Sequence, residues 1–191
     1  MMNRDFWEKV FADHKAGDIS RRKIIAESAG AQHLAKQVIF DLQRGNNEDA
    51  ITKFNQSLES LKSLQERFGE NQRLRNEGSW KSAIEEFAEA KLFMDFCLKK
   101  EISDIPELKV ETEEYLGGLS DMTGEIVRMM VIWTIKNDFA KVQKGHEVIS
   151  EVIAELMKNN FGGYLRTKFD QAKKNLQRAE QILYDWKINR E

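Results

Sequence analysis

Proline occurs once in the 191-residue chain, at position 106, and glycine occurs only 11 times. Average usage would give roughly ten prolines in a chain of this length. Because proline and glycine form the turns between short strands, their scarcity argues against a β-sandwich or a β-barrel. Charged residues make up 32% and hydrophobic residues 41% of the sequence, which argues against disorder. The sequence therefore predicts an all-α protein with a single domain, residues 1–191.

Hydrophobic spacing and chain breakers divide the sequence into about seven helices, which we expect to pack as an antiparallel bundle. A first short helix is predicted to end near Gly17, and the second to begin at Asp18 or Ser20. A short irregular segment is expected over residues 69–78, and a loop over residues 103–109. The predicted helices cover residues 3–16, 18–44, 48–68, 79–100, 112–136, 138–160 and 164–189.

Charge and cysteine content limit the possible functions. The 30 basic and 32 acidic residues leave a net charge of −2, so overall charge does not point to nucleic acid or to a membrane. Cys97 is the only cysteine in the sequence, which excludes an intrachain disulfide and a cysteine-based zinc site. The first residues lack the pattern of a signal peptide, and the longest apolar run, residues 129–133, is far below the ~18 residues of a membrane span. We expect a cytoplasmic protein.

Two carboxylates lie on an apolar stripe of the helix predicted over residues 79–100. At about 100° per residue, Glu86 and Glu89 fall on the same side as Phe93, whereas Glu85 falls on the solvent side. A carboxylate on an apolar stripe is unfavourable unless it is paired, protonated or bound to a cation. A buried ion pair, for example with Arg128, is one interpretation. A pair of metal ligands is the other, because residues i and i+3 lie side by side. The solvent side also holds Lys81, Lys91, Asp95 and Lys99.

The helix predicted over residues 112–136 carries a second pair of acids. It is apolar around most of its circumference, which predicts burial, yet Asp121 and Glu125 lie four residues apart on one narrow stripe. Glycines at positions 117, 118 and 124 each cost about 1 kcal/mol relative to alanine inside a helix. We therefore expect a neighbouring helix or a ligand to approach this backbone closely. The simpler alternative is tight helix packing with an internal pair between Glu125 and Arg128.

Neighbouring helices would bring Glu86 and Glu89 opposite Asp121 and Glu125. Hard oxygen ligands of this kind suit Mg²⁺ or Mn²⁺. Such ions serve phosphoryl chemistry, because they lower the pKa of a bound water and stabilise a leaving oxygen. A di-iron centre is disfavoured, since it needs Glu-x-x-His on two helices and no histidine of this sequence has that spacing.

The string Glu114-Tyr-Leu-Gly-Gly-Leu-Ser-Asp-Met-Thr-Gly-Glu-Ile-Val-Arg-Met resembles the central motif of the translin superfamily. The similarity is closest to the branch of translin-associated protein X. Weaker similarities follow the same order along the chain, at residues 27–44, 86–90 and 184–188. The resemblance therefore covers roughly residues 20–190.

This resemblance implies a translin-like fold of seven helices that assembles into a hollow octamer enclosing RNA. It also implies an endoribonuclease site whose acidic metal ligands correspond to Glu86, Glu89, Asp121 and Glu125, the acids already singled out by spacing. The family's RNA-contact segment is similar to Arg75-Asn-Glu-Gly-Ser-Trp-Lys81. A hollow assembly would also allow cations to face the cavity while acids face solvent, despite the near-neutral net charge.

We therefore expect a homo-octameric endoribonuclease that depends on Mg²⁺ or Mn²⁺ and hydrolyses RNA with a metal-activated water. The expected partners are RNA, single-stranded or duplex, and also single-stranded DNA. Arg128 would neutralise the phosphate or simply balance Glu125, and Trp80 would stack on a base or serve as a packing anchor. Alternatives are a non-catalytic octamer that binds RNA or single-stranded DNA, and a helical scaffold that binds neither. The residues expected to contact nucleic acid are Arg21, Arg22, Arg75, Lys81 and Arg128.

Overall fold

The computed structural model describes residues 3–188. Within this range the chain forms seven α-helices and no strand, which confirms the all-α prediction. None of the described helices is long and apolar enough to cross a membrane. The predicted end of the last helix at Asn189 lies outside the described residues. The helices are α1 (Arg4–Arg44), α2 (Asn47–Phe68), α3 (Gln72–Arg75), α4 (Gly78–Cys97), α5 (Thr112–Ile135), α6 (Phe139–Leu156) and α7 (Gly163–Ile188).

The first helix is continuous, so the predicted break at Gly17 is wrong. A glycine inside a helix is unfavourable by only about 1 kcal/mol, and the neighbouring residues contain no proline to stop propagation. The His14 ring lies 3.7 Å from the Asp18 carboxylate across this position. Helix α1 begins where the Asn3 side chain accepts the N–H of Phe6 (3.2 Å). Its buried face starts only at residue 24, so its first turns extend beyond the helices that pack on it.

The predicted irregular segment before α4 contains the short helix α3. The Asn71 side chain caps it by accepting the N–H of Leu74 (3.3 Å). The number of helices therefore agrees with the prediction although two of them differ. The first two predicted helices form the single helix α1, and α3 is a helix that the sequence did not indicate.

Helix α4 lies at the centre of the bundle. Helix α2 packs on α1, α1 on α4, α4 on α5, and α5 on both α6 and α7. Trp80, Phe87 and Phe93 are fully buried on α4, and Phe87 stacks on Phe54 of α2 with 4.7 Å between ring centroids. Because α1 and α5 flank α4, a polar side chain that α4 directs toward either neighbour is surrounded by protein.

Candidate functional site

Helices α4 and α5 approach each other at the glycines of α5. A Cβ added at Gly118 would lie 2.7 Å from the backbone nitrogen of Glu89 and 2.8 Å from the carbonyl oxygen of Glu85. A Cβ added at Gly117 would overlap the Glu85 carboxylate, and one at Gly124 would lie 3.3 Å from the Asn175 side chain of α7. The predicted close approach is confirmed. It places the backbone of α5 directly against the acidic turns of α4.

The four predicted acids come together between these helices. Burial is the largest cause of the raised pKa of Glu89 and of Glu125. The charges of Asp121, Glu86 and Glu125 raise the pKa of Glu89 further, and those of Glu86 and Asp121 raise the pKa of Glu125 further. Spacing on two separate helices was therefore sufficient to identify a cluster of carboxylates. Their role as metal ligands remains a prediction.

Glu89 is the least satisfied member of the cluster. It is 8% exposed, and no hydrogen bond or ion pair joins its carboxylate to another described residue. Burial, followed by the charges of the neighbouring carboxylates, raises its pKa to about 9, and the charge of Lys168 opposes this rise. Without a bound cation, these surroundings therefore favour the protonated form of Glu89.

Glu85 also belongs to the cluster, so its assignment to solvent is wrong. Its carboxylate accepts hydrogen bonds from Lys168 (2.8 Å) and from the Tyr164 hydroxyl, both on α7. Asp95 was likewise predicted to face solvent, but it is 2% exposed and paired with Lys91 (2.5 Å). A helical wheel describes one helix alone and cannot show which distant part of the chain covers each face. It therefore failed at these positions.

Lys168 is the functional candidate that the sequence did not reveal. Its ammonium donates to Asp121 and Glu85 and thus links α7 to both acidic helices. Burial lowers the pKa of Lys168, but hydrogen bonds to Asp121, Glu85 and Tyr164 outweigh this and raise the pKa overall. Lys168 is therefore a permanent cation. Its four-residue spacing from Tyr164, which puts both on one helix face, was the available signal.

Helix α1 holds the opposite side of the cluster. Lys36 lies 3.2 Å from Glu86, and the Gln43 side chain donates a hydrogen bond to Glu125. Arg128 lies 3.8 Å from Glu125 and is 66% exposed. The intrahelical pair proposed as the simpler interpretation of Glu125 is therefore present, whereas Arg128 does not form the suggested buried pair with Glu86 or Glu89.

The donor set fits a hard divalent cation in its chemistry, since all its members are carboxylates. In their present rotamers no three carboxylate, histidine or cysteine side chains of the described residues are arranged to hold an ion together. Each acid except Glu89 is engaged by a neighbouring cation or amide. The buried and unpartnered Glu89 is the feature that calls for a cation.

Arg75 does not lie on an open surface. It is 7% exposed, and its guanidinium donates two hydrogen bonds of 2.7 Å to the Glu114 carboxylate. Contact with a phosphate would break this buried pair, so the expectation that Arg75 binds nucleic acid is corrected: Arg75 anchors the start of α5. Trp80, beneath the Arg75 guanidinium, is fully buried and serves as a packing anchor rather than a platform for bases.

The other predicted basic residues remain accessible. Arg21 is 54% exposed and donates to Glu77 (2.8 Å), and Arg22 beside it is exposed. Lys81 is half-buried one turn beyond Glu77 on α4. Of the accessible cations, Arg128 lies beside the acids and Arg21 lies at the start of α4. Glu77 and the acidic turns are about 12–18 Å apart along the helix axis.

Comparison with known proteins places this fold. Solved structures similar to it include apo-NeC3PO (TM-score 0.88, 18% identity, covering 97% of this chain and 99% of that chain), AfC3PO (0.85, 20%, 96% and 98%) and AfC3PO in complex with duplex RNA (0.80, 21%, 99% and 98%). A search of curated proteins gave no match. The model of the Translin family matches residues 20–190. The predicted superfamily is therefore confirmed, and this chain belongs to the Translin family.

Proposed function

We propose that this protein is an endoribonuclease that depends on Mg²⁺ or Mn²⁺. The observation that supports the proposal is the buried and unpartnered Glu89 within a cluster of carboxylates at the junction of α4 and α5. Family membership adds support, as does the similarity to a C3PO that is complexed with duplex RNA. Assignment to the branch of translin-associated protein X is part of the proposal.

The residues of the cluster have separable roles in this reaction. Glu86, Glu89, Asp121 and Glu125 would hold the ion. A bound divalent ion supplies a water of lowered pKa and a positive charge that offsets the charge of the phosphate. Arg128, exposed beside Glu125, would bind the phosphate and stabilise the charge that develops on its oxygens. No histidine is a hydrogen-bond or ion-pair partner of these four acids among the described residues.

The proposal includes a homo-octamer that encloses RNA. Four apolar side chains at the start of α1 are exposed, and exposed apolar patches of this kind mark association surfaces. Arg21, Arg22 and Lys81 would face the enclosed nucleic acid. Mass measurement in solution tests the assembly, and a monomer would contradict it. The exposed residues at the start of α1 are Phe6, Trp7, Val10 and Phe11.

The catalytic assignment is tested with a labelled RNA incubated with Mn²⁺ or with EDTA. We expect EDTA to abolish cleavage. Asp121→Asn and Glu89→Gln should also abolish it while leaving RNA affinity within about twofold of the wild type. Glu180→Gln changes an exposed glutamate of α7 and is the matched control. Cleavage at the wild-type rate in either cluster variant would refute the assignment.

A non-catalytic protein that binds RNA or single-stranded DNA is the second candidate. It is favoured by the absence, within the described residues, of a ligand set already arranged around an ion. Filter binding across a salt series separates this candidate from a scaffold that binds neither, because affinity that rests on phosphate contacts falls with salt. Salt-sensitive binding without any cleavage in Mn²⁺ would favour it over the nuclease.

A further inference from the structure

Lys168 is the most enclosed of the three cations around the acid cluster. Its side chain is 20% exposed, compared with 59% for Lys36 and 66% for Arg128. Its ammonium donates to Asp121 and to Glu85, and it lies 5.3 Å from the ring centroid of Tyr164. Lys168 therefore has one partner among the four proposed ligands and two partners outside them.

The contact between Lys168 and Asp121 affects how an ion would bind in the acid cluster. Asp121 can bind an ion only through carboxylate lone pairs, and Lys168 now occupies one oxygen of that carboxylate. Two cations cannot approach the same oxygen closely without strong repulsion. Glu89 needs no such exchange, because no neighbouring cation holds it.

We propose that Lys168 is a positioning residue that occupies Asp121 in the metal-free chain and competes with a divalent ion for that carboxylate. An ion that takes this oxygen displaces the ammonium from Asp121, and the ammonium then remains on Glu85 and Tyr164. The inference rests on the proposed metal site and adds a determinant of its affinity that lies on α7, outside the four ligands.

Glu85 and Tyr164 already form the position to which the Lys168 ammonium withdraws. The Tyr164 hydroxyl donates to Glu85 and fixes that carboxylate toward Lys168. Gly117 leaves the space that the Glu85 carboxylate fills, since a Cβ at position 117 would overlap it. Lys168 thus keeps a charged partner when it gives up Asp121, and the half-buried ammonium is not left unpaired.

The test is a titration of the full-length protein with Mn²⁺, followed by the electron paramagnetic resonance signal of the free ion. We expect Lys168→Gln to bind Mn²⁺ about tenfold more tightly than the wild type, equivalent to about 1.4 kcal/mol. Lys168→Arg should restore the wild-type affinity. Lys36→Gln removes the same charge from the exposed pair with Glu86 and should raise affinity less. Lys174→Gln, at an exposed position of α7, should not change it.

Tyr164→Phe provides a second test, of opposite sign, in case Lys168→Gln does not fold. Loss of the hydroxyl loosens Glu85, which favours Lys168 on Asp121, so Mn²⁺ should bind at least twofold more weakly. Weaker binding by Lys168→Gln, or an increase no larger than that of Lys36→Gln, would overturn the inference while leaving the metal site intact. If neither the wild type nor Asp121→Asn takes up Mn²⁺, the metal site itself fails, and the inference fails with it.

Discussion

Two buried glutamates at the junction of α4 and α5 have opposite surroundings. Glu114 is 4% exposed and fully partnered, because Arg75 donates two hydrogen bonds of 2.7 Å and the backbone N–H of Glu111 donates a third of 2.9 Å. Glu89 is 8% exposed and has no such partner within the described residues. Its nearest charged neighbours include three carboxylates, those of Asp121, Glu86 and Glu125.

The difference separates a structural carboxylate from a functional one. A buried charge that is fully hydrogen-bonded contributes to a unique packing arrangement, whereas an unpartnered one works against folding. Glu114 is explained by the bundle alone, since it fixes the start of α5 to α3. Glu89 has no such explanation, so its surroundings point to a cation that is bound when the protein functions.

The largest effect should follow from breaking the structural pair. Arg75→Gln leaves Glu114 buried without its cation, and loss of one partner of a buried pair costs about 3–5 kcal/mol. We expect the melting temperature to fall by roughly 10 °C, as measured by thermal unfolding in EDTA. Combining Arg75→Met with Glu114→Leu should recover most of this loss, because no charge then remains buried. A double variant as unstable as Arg75→Gln would contradict this account.

At Glu89 we expect a substitution to raise the melting temperature of the metal-free protein. Glu89→Gln removes a carboxyl that must either stay protonated or lie uncompensated among three others, so the metal-free variant should melt roughly 5 °C above the wild type. In the wild type Mn²⁺ should raise the melting temperature by binding the folded state, and in the variant this increase should be small. A Glu89→Gln variant that is less stable in EDTA would place Glu89 with Glu114 as a structural residue.

The same substitution should show a pH dependence of defined sign. The pKa of Glu89 is raised from 4.5 to about 9, chiefly by burial, so the folded state binds this proton more tightly than the unfolded state does. The stability that this proton provides is fully present below about pH 4.5 and is lost as pH rises to about 9. A glutamine side chain does not titrate, so the Glu89→Gln variant does not lose stability in this way between pH 4.5 and pH 9. The advantage of Glu89→Gln in EDTA should therefore grow from pH 6 to pH 9, and a constant difference would argue against the raised pKa.

A smaller effect tests the close contact of α5 with α4 beside Glu89. Gly118→Ala would place a Cβ 2.7 Å from a backbone nitrogen of α4, and overpacking of this kind costs about 1–3 kcal/mol. Gly17→Ala is the matched control, because nothing lies within 4 Å of its added Cβ and alanine favours the helix by about 1 kcal/mol. We expect Gly118→Ala to lower the melting temperature and Gly17→Ala to raise it slightly. Equal shifts would mean that α5 can move away from α4 easily.

The sequence predicted what depends on local spacing. Helical periodicity placed Glu86 with Glu89 and Asp121 with Glu125, because residues three or four apart share a face in any helix. Glycines inside a helix likewise indicated a close contact before its partner was known. These inferences needed only the geometry of a single helix, and the structure brings the four acids together accordingly.

What the sequence could not predict depends on which distant element covers each face. Glu85 was assigned to solvent because α7, about 80 residues later, supplies Lys168 and Tyr164. Arg75 resembled a residue that contacts RNA, yet Glu114, 39 residues away, takes its guanidinium. The continuity of α1 through Gly17 was missed for a different reason, since a single glycine weakens a helix without ending it.

The smallest change in stability is expected at an arginine pair that differs from Arg75 chiefly in exposure. Arg21 pairs with Glu77 at 2.8 Å but is 54% exposed, and exposed pairs contribute about 0–1 kcal/mol. Arg21→Gln should therefore leave the melting temperature nearly unchanged. If Arg21 faces RNA, the same variant should weaken RNA binding and reduce the slope of log affinity against log salt by about one unit. Filter binding measures this slope. An unchanged slope with unchanged affinity would show that Arg21 does not contact RNA and only forms the surface ion pair with Glu77.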